Sequence, residues 1–238
     1  MHSAAVDFAT THWSMVVASA QRDSPQAVAA LEELCRAYWY PIYAFVRHRG
    51  HGPQEAEDLV QAFFARFLER HLLDHVDRSK GRFRSFLLTV LKHFLADEWD
   101  RSMACKRGGR VHFLSVEAGE SRYWEEAASG SSPEQLYEQR WACVLLERVM
   151  KQLEHALADA GKDQFFRALK PFLVGESRSV AYARLATELG VTEGALKMKV
   201  RRMRRHYQQL LRQEIAQTVA SPEEVDDEIR YLFRVLSE

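Results

Sequence analysis

Between residues 180 and 205 the chain reads VAYARLATELGVTEGALKMKVRRMRR, and no other stretch narrows the possible folds as far. Leu185, Ala186 and Leu189 give a first short helix an apolar face. Gly190-Val191 supplies a turn, and Thr192 stands where an N-cap hydroxyl satisfies the open amides of a second helix. On a helical wheel Leu196, Val200, Met203 and Tyr207 fall in one narrow arc, which predicts an inward face. The opposite arc holds Gly194, Met198, Arg201 and Arg205, flanked by Lys197 and Arg202. Six cations and no acid lie between 197 and 205, more than an ordinary solvated face needs. A small residue near a helix N-terminus allows close approach to a groove, and cations behind it neutralise phosphates. The stretch reads as a DNA-binding helix-turn-helix, with Thr192, Glu193, Gly194, Lys197, Met198, Arg201, Arg202 and Arg205 as its contact residues.

The apolar spacing is helical nearly throughout and no convincing alternating strand is present, so the expected fold is all-α. Ser24-Pro25 opens a helix to about Tyr38, and Pro41 is expected to restart or kink the chain into a second one ending near Arg49. After a Gly50–Pro53 turn comes the cleanest amphipathic segment, with Ala56, Leu59, Val60, Phe63, Phe64, Phe67 and Leu68 on one side. Another helix runs from about Phe83 to Arg101, with Leu87, Val90, Leu91, Phe94 and Leu95 on its apolar face. Gly and Ser clusters at 108–109 and 127–132 mark a linker of low propensity. Ser132-Pro133-Glu134-Gln135 is a capping box that starts a second set of helices, the last of them continuing to about Ala216. The expected organisation is an N-terminal extension over 1–23, a helical domain over 24–106, a flexible linker over 107–132 and a helix-turn-helix domain over 133–216. A C-terminal acidic amphipathic helix follows over 217–238.

Charge is informative in its distribution rather than its sum. The 33 basic and 33 acidic residues cancel, which excludes a uniformly basic DNA-coating protein. Residues 77–110 nevertheless carry nine Lys/Arg against four Asp/Glu, while residues 213–238 carry seven acids against two Arg. Cys35, Cys105 and Cys143 are scattered and odd in number, with neither a disulfide framework nor a CxxC pair. The N-terminus lacks a signal-peptide pattern and no apolar run approaches the length of about 18 residues that a membrane span needs, so a cytoplasmic protein without membrane attachment is expected.

Two helical domains, a basic-flanked linker and a helix-turn-helix in that order resemble the bacterial RNA polymerase sigma factors. The likeness is to the extracytoplasmic-function type that keeps only regions 2 and 4. Residues 55–68, EAEDLVQAFFARFL, are similar to the region 2 helix that docks on core polymerase. The resemblance implies that role for Glu57, Asp58, Gln61 and Ala65, which lie off the apolar stripe and are expected to face outward. Residues 83–101, FRSFLLTVLKHFLADEWDR, resemble the promoter-melting and −10-reading helix. That implies −10 contacts by Arg84, Phe86, Thr89, Lys92 and His93, although the family often has tryptophan where Phe86 stands and asparagine where His93 stands. Mixed bases and aromatics also suit single-strand binding. Residues 180–205 match the −35-reading region 4. The implied partners are core RNA polymerase and promoter DNA, with an anti-sigma factor or a regulatory kinase as candidates for control.

Enzymatic signals are lacking. His71 and His75 have metal-ligand spacing but no third ligand nearby, and no phosphate-cradling glycine loop, GxSxG elbow or HExxH is present. No catalytic residue, metal or cofactor is therefore expected. Two rival functions stay open at this level: a stand-alone helix-turn-helix regulator, and an adaptor that binds no DNA. The extension from Ser221 has its own capping-box pattern and an apolar stripe through Val225, Ile229, Leu232, Phe233 and Leu236. It is expected either to pack on the helix-turn-helix domain or to cover its basic recognition helix.

Overall fold

The computed structural model describes residues 25–69, 82–104, 130–173, 179–219 and 221–237. Among these are eight α-helices and no strand: α1 Pro25–His48, α2 Pro53–Glu69, α3 Phe83–Ala104, α4 Pro133–Asp159, α5 Asp163–Leu173, α6 Ser179–Glu188, α7 Glu193–Ala216 and α8 Val225–Val235. The protein is all-α, and none of these helices is long and apolar enough to cross a membrane. The N-terminal extension, most of the expected linker, and His71 and His75 lie outside the described residues.

The chain divides into two compact units, one made of the residues up to Val144 together with Ile215 onward, the other of Leu145–Glu214. The divisions fall inside α4 and α7, and the C-terminal helix is grouped with the first unit.

The first unit has an aromatic core. Tyr38 of α1 meets Phe83 of α3 edge-on at 5.4 Å between ring centroids, and Phe63 of α2 meets Phe94 of α3 likewise at 5.6 Å. Phe45 of α1 packs on Tyr137 of α4 at 6.4 Å. Arg66 of α2 adds a polar fastening, 2.5 Å from Asp97 and 3.5 Å from Glu98 on α3. The expected restart at Pro41 does not occur, because Pro41 lies inside the continuous α1. An interior proline forfeits one backbone hydrogen bond. Its fully buried neighbours Tyr38, Ile42 and Phe45 keep the flanking turns anchored.

The helix starts obey local chemistry in part. At α4 the Ser132 amide donates to Gln135 Oε1 at 2.8 Å and the Gln135 amide donates to Ser132 Oγ at 3.2 Å, a reciprocal capping box. At Ser221 the expected box does not form: its side chain caps no helix amide. The chain there makes a 3₁₀ turn, Pro222–Glu224, with the Glu224 amide donating to the Ser221 carbonyl at 3.2 Å, and α8 begins only at Val225.

The second unit has its own core of Leu153 from α4, Phe166, Leu169 and Phe172 from α5, Tyr182 and Ala186 from α6, and Leu196, Val200 and Met203 from α7. Arg148 on α4 reaches Glu214 on α7 at 2.8 Å within it.

Candidate nucleic-acid interface

The α6–α7 connection is built by two opposed signals. At the end of α6 the Gly190 amide donates to Thr187 and the Val191 amide to Ala186, a Schellman arrangement that needs the left-handed φ of +63° at Gly190. Two residues on, Thr192 Oγ1 accepts from the Ala195 amide at 3.2 Å and starts α7. The chain therefore reverses within Leu189–Thr192 with the Gly190, Val191 and Ala195 amides satisfied.

Core packing then fixes which face of α7 looks outward. Leu196, Val200 and Met203 are buried and Tyr207 is half-buried, as the wheel predicts. Gly194, Lys197, Met198, Arg201, Arg202 and Arg205 are exposed, with Thr192 exposed and Glu193 half-buried at the helix start. Met198 at 50% exposure is unusual for a large apolar side chain and sits in the middle of the cations.

The six cations are not equivalent. Arg204 donates twice to the Phe172 carbonyl, at 2.6 and 3.2 Å, and so closes the end of α5. Lys199 lies 3.7 Å from the centre of the Phe165 ring, a cation–π contact. Lys197 pairs with Glu193 one turn back at 2.5 Å. Arg201, Arg202 and Arg205 are left as the cations whose exposed side chains make no ion pair within the described residues.

On α3 the sequence-derived set separates. Thr89 and His93 are exposed, and Thr89 Oγ1 donates to the Ser85 carbonyl at 2.9 Å. Lys92 is half-exposed and pairs with Glu134 at 2.8 Å; this hydrogen bond holds the Glu134 carboxyl below its usual range. Phe86 is half-buried and packs against Phe67 and Phe83. Arg84 does not face outward: it is 2% exposed. It lies three and seven residues before Leu87 and Leu91, both fully buried, and so shares the core stripe of α3.

Arg84 is the centre of a buried ionic cluster. Its Nε donates to Glu138 Oε2 at 2.5 Å, its Nη1 donates to Glu228 Oε1, and its guanidinium lies between the Trp141 and Tyr231 rings at 4.3 and 4.5 Å. Tyr137 Oη donates to the Arg84 carbonyl at 3.1 Å. Arg82 Nε stands 2.7 Å from Glu228 Oε2, an ion pair without good hydrogen-bond direction. Burial, then the nearby Arg84 charge, lowers the Arg82 pKa from its ordinary value.

On α2, Asp58 and Gln61 are half-exposed and Ala65 is exposed, so they share an accessible face. Glu57 is the exception, fully buried. It precedes Val60 by three residues and Phe64 by seven, which places it in the buried arc rather than beside it. No group of three or more His, Cys, Asp or Glu side chains suited to a metal ion occurs among the described residues.

Compared with known families, the segment from Leu34 in α1 to the end of α3 matches the family model of sigma-70 region 2 over residues 34–104. Over those residues the chain is similar to sigma-70 region 2. No curated protein and no solved structure matches the chain significantly. The region 2 match supports a sigma-70 family factor acting in transcription initiation, for which the family implies core RNA polymerase and promoter DNA as partners. It covers α2 and α3, and with them every residue assigned above to polymerase docking and to the −10 element.

Proposed function

We propose that the chain is a sigma factor of the compact extracytoplasmic-function type, a non-enzymatic, cytoplasmic protein that brings core polymerase to particular promoters and helps open them. The observation that carries this reading is the region 2 match joined, in one chain, to a helix pair whose outward face is cationic. Region 2 would dock on polymerase through the accessible face of α2, using Asp58, Gln61 and Ala65. The outward face of α3, with Thr89, Lys92 and His93 beside half-buried Phe86, would meet the displaced strand at the −10 element. The α6–α7 pair would act as region 4, a helix-turn-helix that lays α7 in the −35 major groove.

The groups divide their labour by chemistry. Thr192, Glu193 and Gly194 at the α7 start bring backbone and short side chains to base edges, while Arg201, Arg202 and Arg205 neutralise phosphates further along. Met198 offers an apolar surface between them, suited to a thymine methyl. Binding energy then drives opening, and the chemistry belongs to the polymerase. Gel filtration of the purified protein with sigma-free core polymerase tests the reading. A stoichiometric complex that an established sigma factor displaces supports it, and independent elution of the two at micromolar concentration overturns it.

A further inference from the structure

The cluster around Arg84 has no part in either the docking face or the −35 face. Two of its groups come from α8: Glu228, with no exposed surface, and the Tyr231 ring, which lies 4.5 Å from the Arg84 guanidinium and 5.2 Å from that of Arg82. Val225, Leu232 and Val235 are the buried apolar anchors of the same helix. The C-terminal helix therefore packs within the first unit. It completes the first unit at the start of α3.

The charge balance explains what that docking does. Arg82 and Arg84 bring two cations, and Glu138 from α4 supplies one compensating carboxylate. The second carboxylate is Glu228, which touches both cations. Buried ion pairs add little net stability against an apolar core, but their directional bonds fix one geometry, and leaving one charge unmatched is strongly unfavourable. The arrangement thus locks the first turn of α3, immediately before the side chains that face outward.

We propose that Glu228 is a positioning residue for promoter opening: acting through Arg82 and Arg84, it sets the start of α3, so the C-terminal helix is a working part of the region 2 unit. The proposal rests on the sigma-factor reading above.

The test compares full-length protein with its Glu228→Gln and Glu228→Asp variants, each assembled with core polymerase. Two templates are used, a duplex promoter and the same promoter with a mismatched, pre-opened −10 segment. Permanganate reactivity of −10 thymines reads opening, and a filter assay reads closed-complex affinity. For Glu228→Gln the expected result is closed-complex affinity within about twofold of the parent and opening of the duplex reduced about tenfold, the amide leaving a buried cation unmatched. The pre-opened template should restore activity to within about twofold, and Glu228→Asp, which keeps the charge, should open the duplex better than Glu228→Gln. Duplex opening by Glu228→Gln equal to the parent overturns the proposal. So does an equal loss on both templates, which marks a folding role alone. Failure of the unmutated protein to open any promoter defeats the sigma-factor reading, and this inference with it, before a variant is compared.

Discussion

Glu228 and Arg84 form a buried ion pair across 144 residues of sequence, joining the C-terminal helix to the first turn of the helix assigned to promoter opening. The pair ties α8 to α3 within the first unit. A segment that lies outside the region 2 match supplies the counter-charge for a residue inside it.

Arg84→Ala should therefore be among the most damaging single substitutions in the first unit. It leaves Glu138 without its guanidinium partner and Glu228 with Arg82 alone, and removing one partner of a buried pair costs about 3–5 kcal/mol. Urea unfolding followed by the emission of the tryptophans should show the midpoint falling by that equivalent; a midpoint within error of the parent contradicts the burial described.

Thr192→Ala should cost about 1 kcal/mol through loss of the cap on α7. Its effect on the second unit is local, so far-ultraviolet circular dichroism should keep the parental helix content at room temperature while the thermal midpoint drops by a few degrees. Unaltered thermal stability would show that the Ala195 amide finds another acceptor.

Arg201→Ala/Arg205→Ala should weaken promoter binding without unfolding the second unit, because both side chains are exposed. Each lost phosphate contact should lower the slope of log affinity against log salt by about one unit. A slope and affinity equal to the parent's would remove this face of α7 from the interface.

Asp58→Lys replaces an acid on the accessible face of α2 with a cation, and like charges juxtaposed in an interface cost several kcal/mol, roughly a thousandfold in affinity. The variant should keep its helical content and fail to co-elute with core polymerase. Normal assembly would show that this face is merely solvated.

Cys35 offers a check on α1. Burial, with the Glu32 charge adding to it, raises its thiol pKa to about 11. Only the thiolate alkylates readily, so at pH 8 Cys35 should react slowly with iodoacetamide, accelerate as pH approaches that value, and react at an ordinary rate in urea. Mass spectrometry of the Cys35 peptide reads the outcome, and rapid labelling of the native protein at pH 8 contradicts this environment.

Much of the fold was legible because it is written in local chemistry. Ser132 and Gln135 cap one another as their spacing implies, Thr192 caps α7, and α7 ends at the predicted Ala216 because its apolar arc runs that far. The buried and exposed arcs of α7 followed from the same 3.6-residue period. Glu57 and Arg84 escaped because a charge is read as solvent-facing unless its partner is known. For Arg84 that partner is 144 residues away, and no periodicity links the two positions. Their spacing to Val60, Phe64, Leu87 and Leu91 nonetheless placed both on apolar stripes, a signal that outweighs residue type. At Ser221 the sequence pattern of a cap was present, but the backbone spent that turn on a 3₁₀ bond instead. The docking of α8 was unreadable for a related reason: an amphipathic helix shows that it packs, and only a specific partner shows where.

The central claim, a sigma factor that confers promoter choice, is tested most directly by run-off transcription. Sigma-free core polymerase is incubated with the purified protein and a pool of random promoter fragments, and the 5′ ends of the transcripts are mapped. The account predicts discrete start sites that require the protein, share two upstream elements and vanish with Asp58→Lys. Transcripts that begin at scattered positions, or at the same positions with and without the protein, would contradict it.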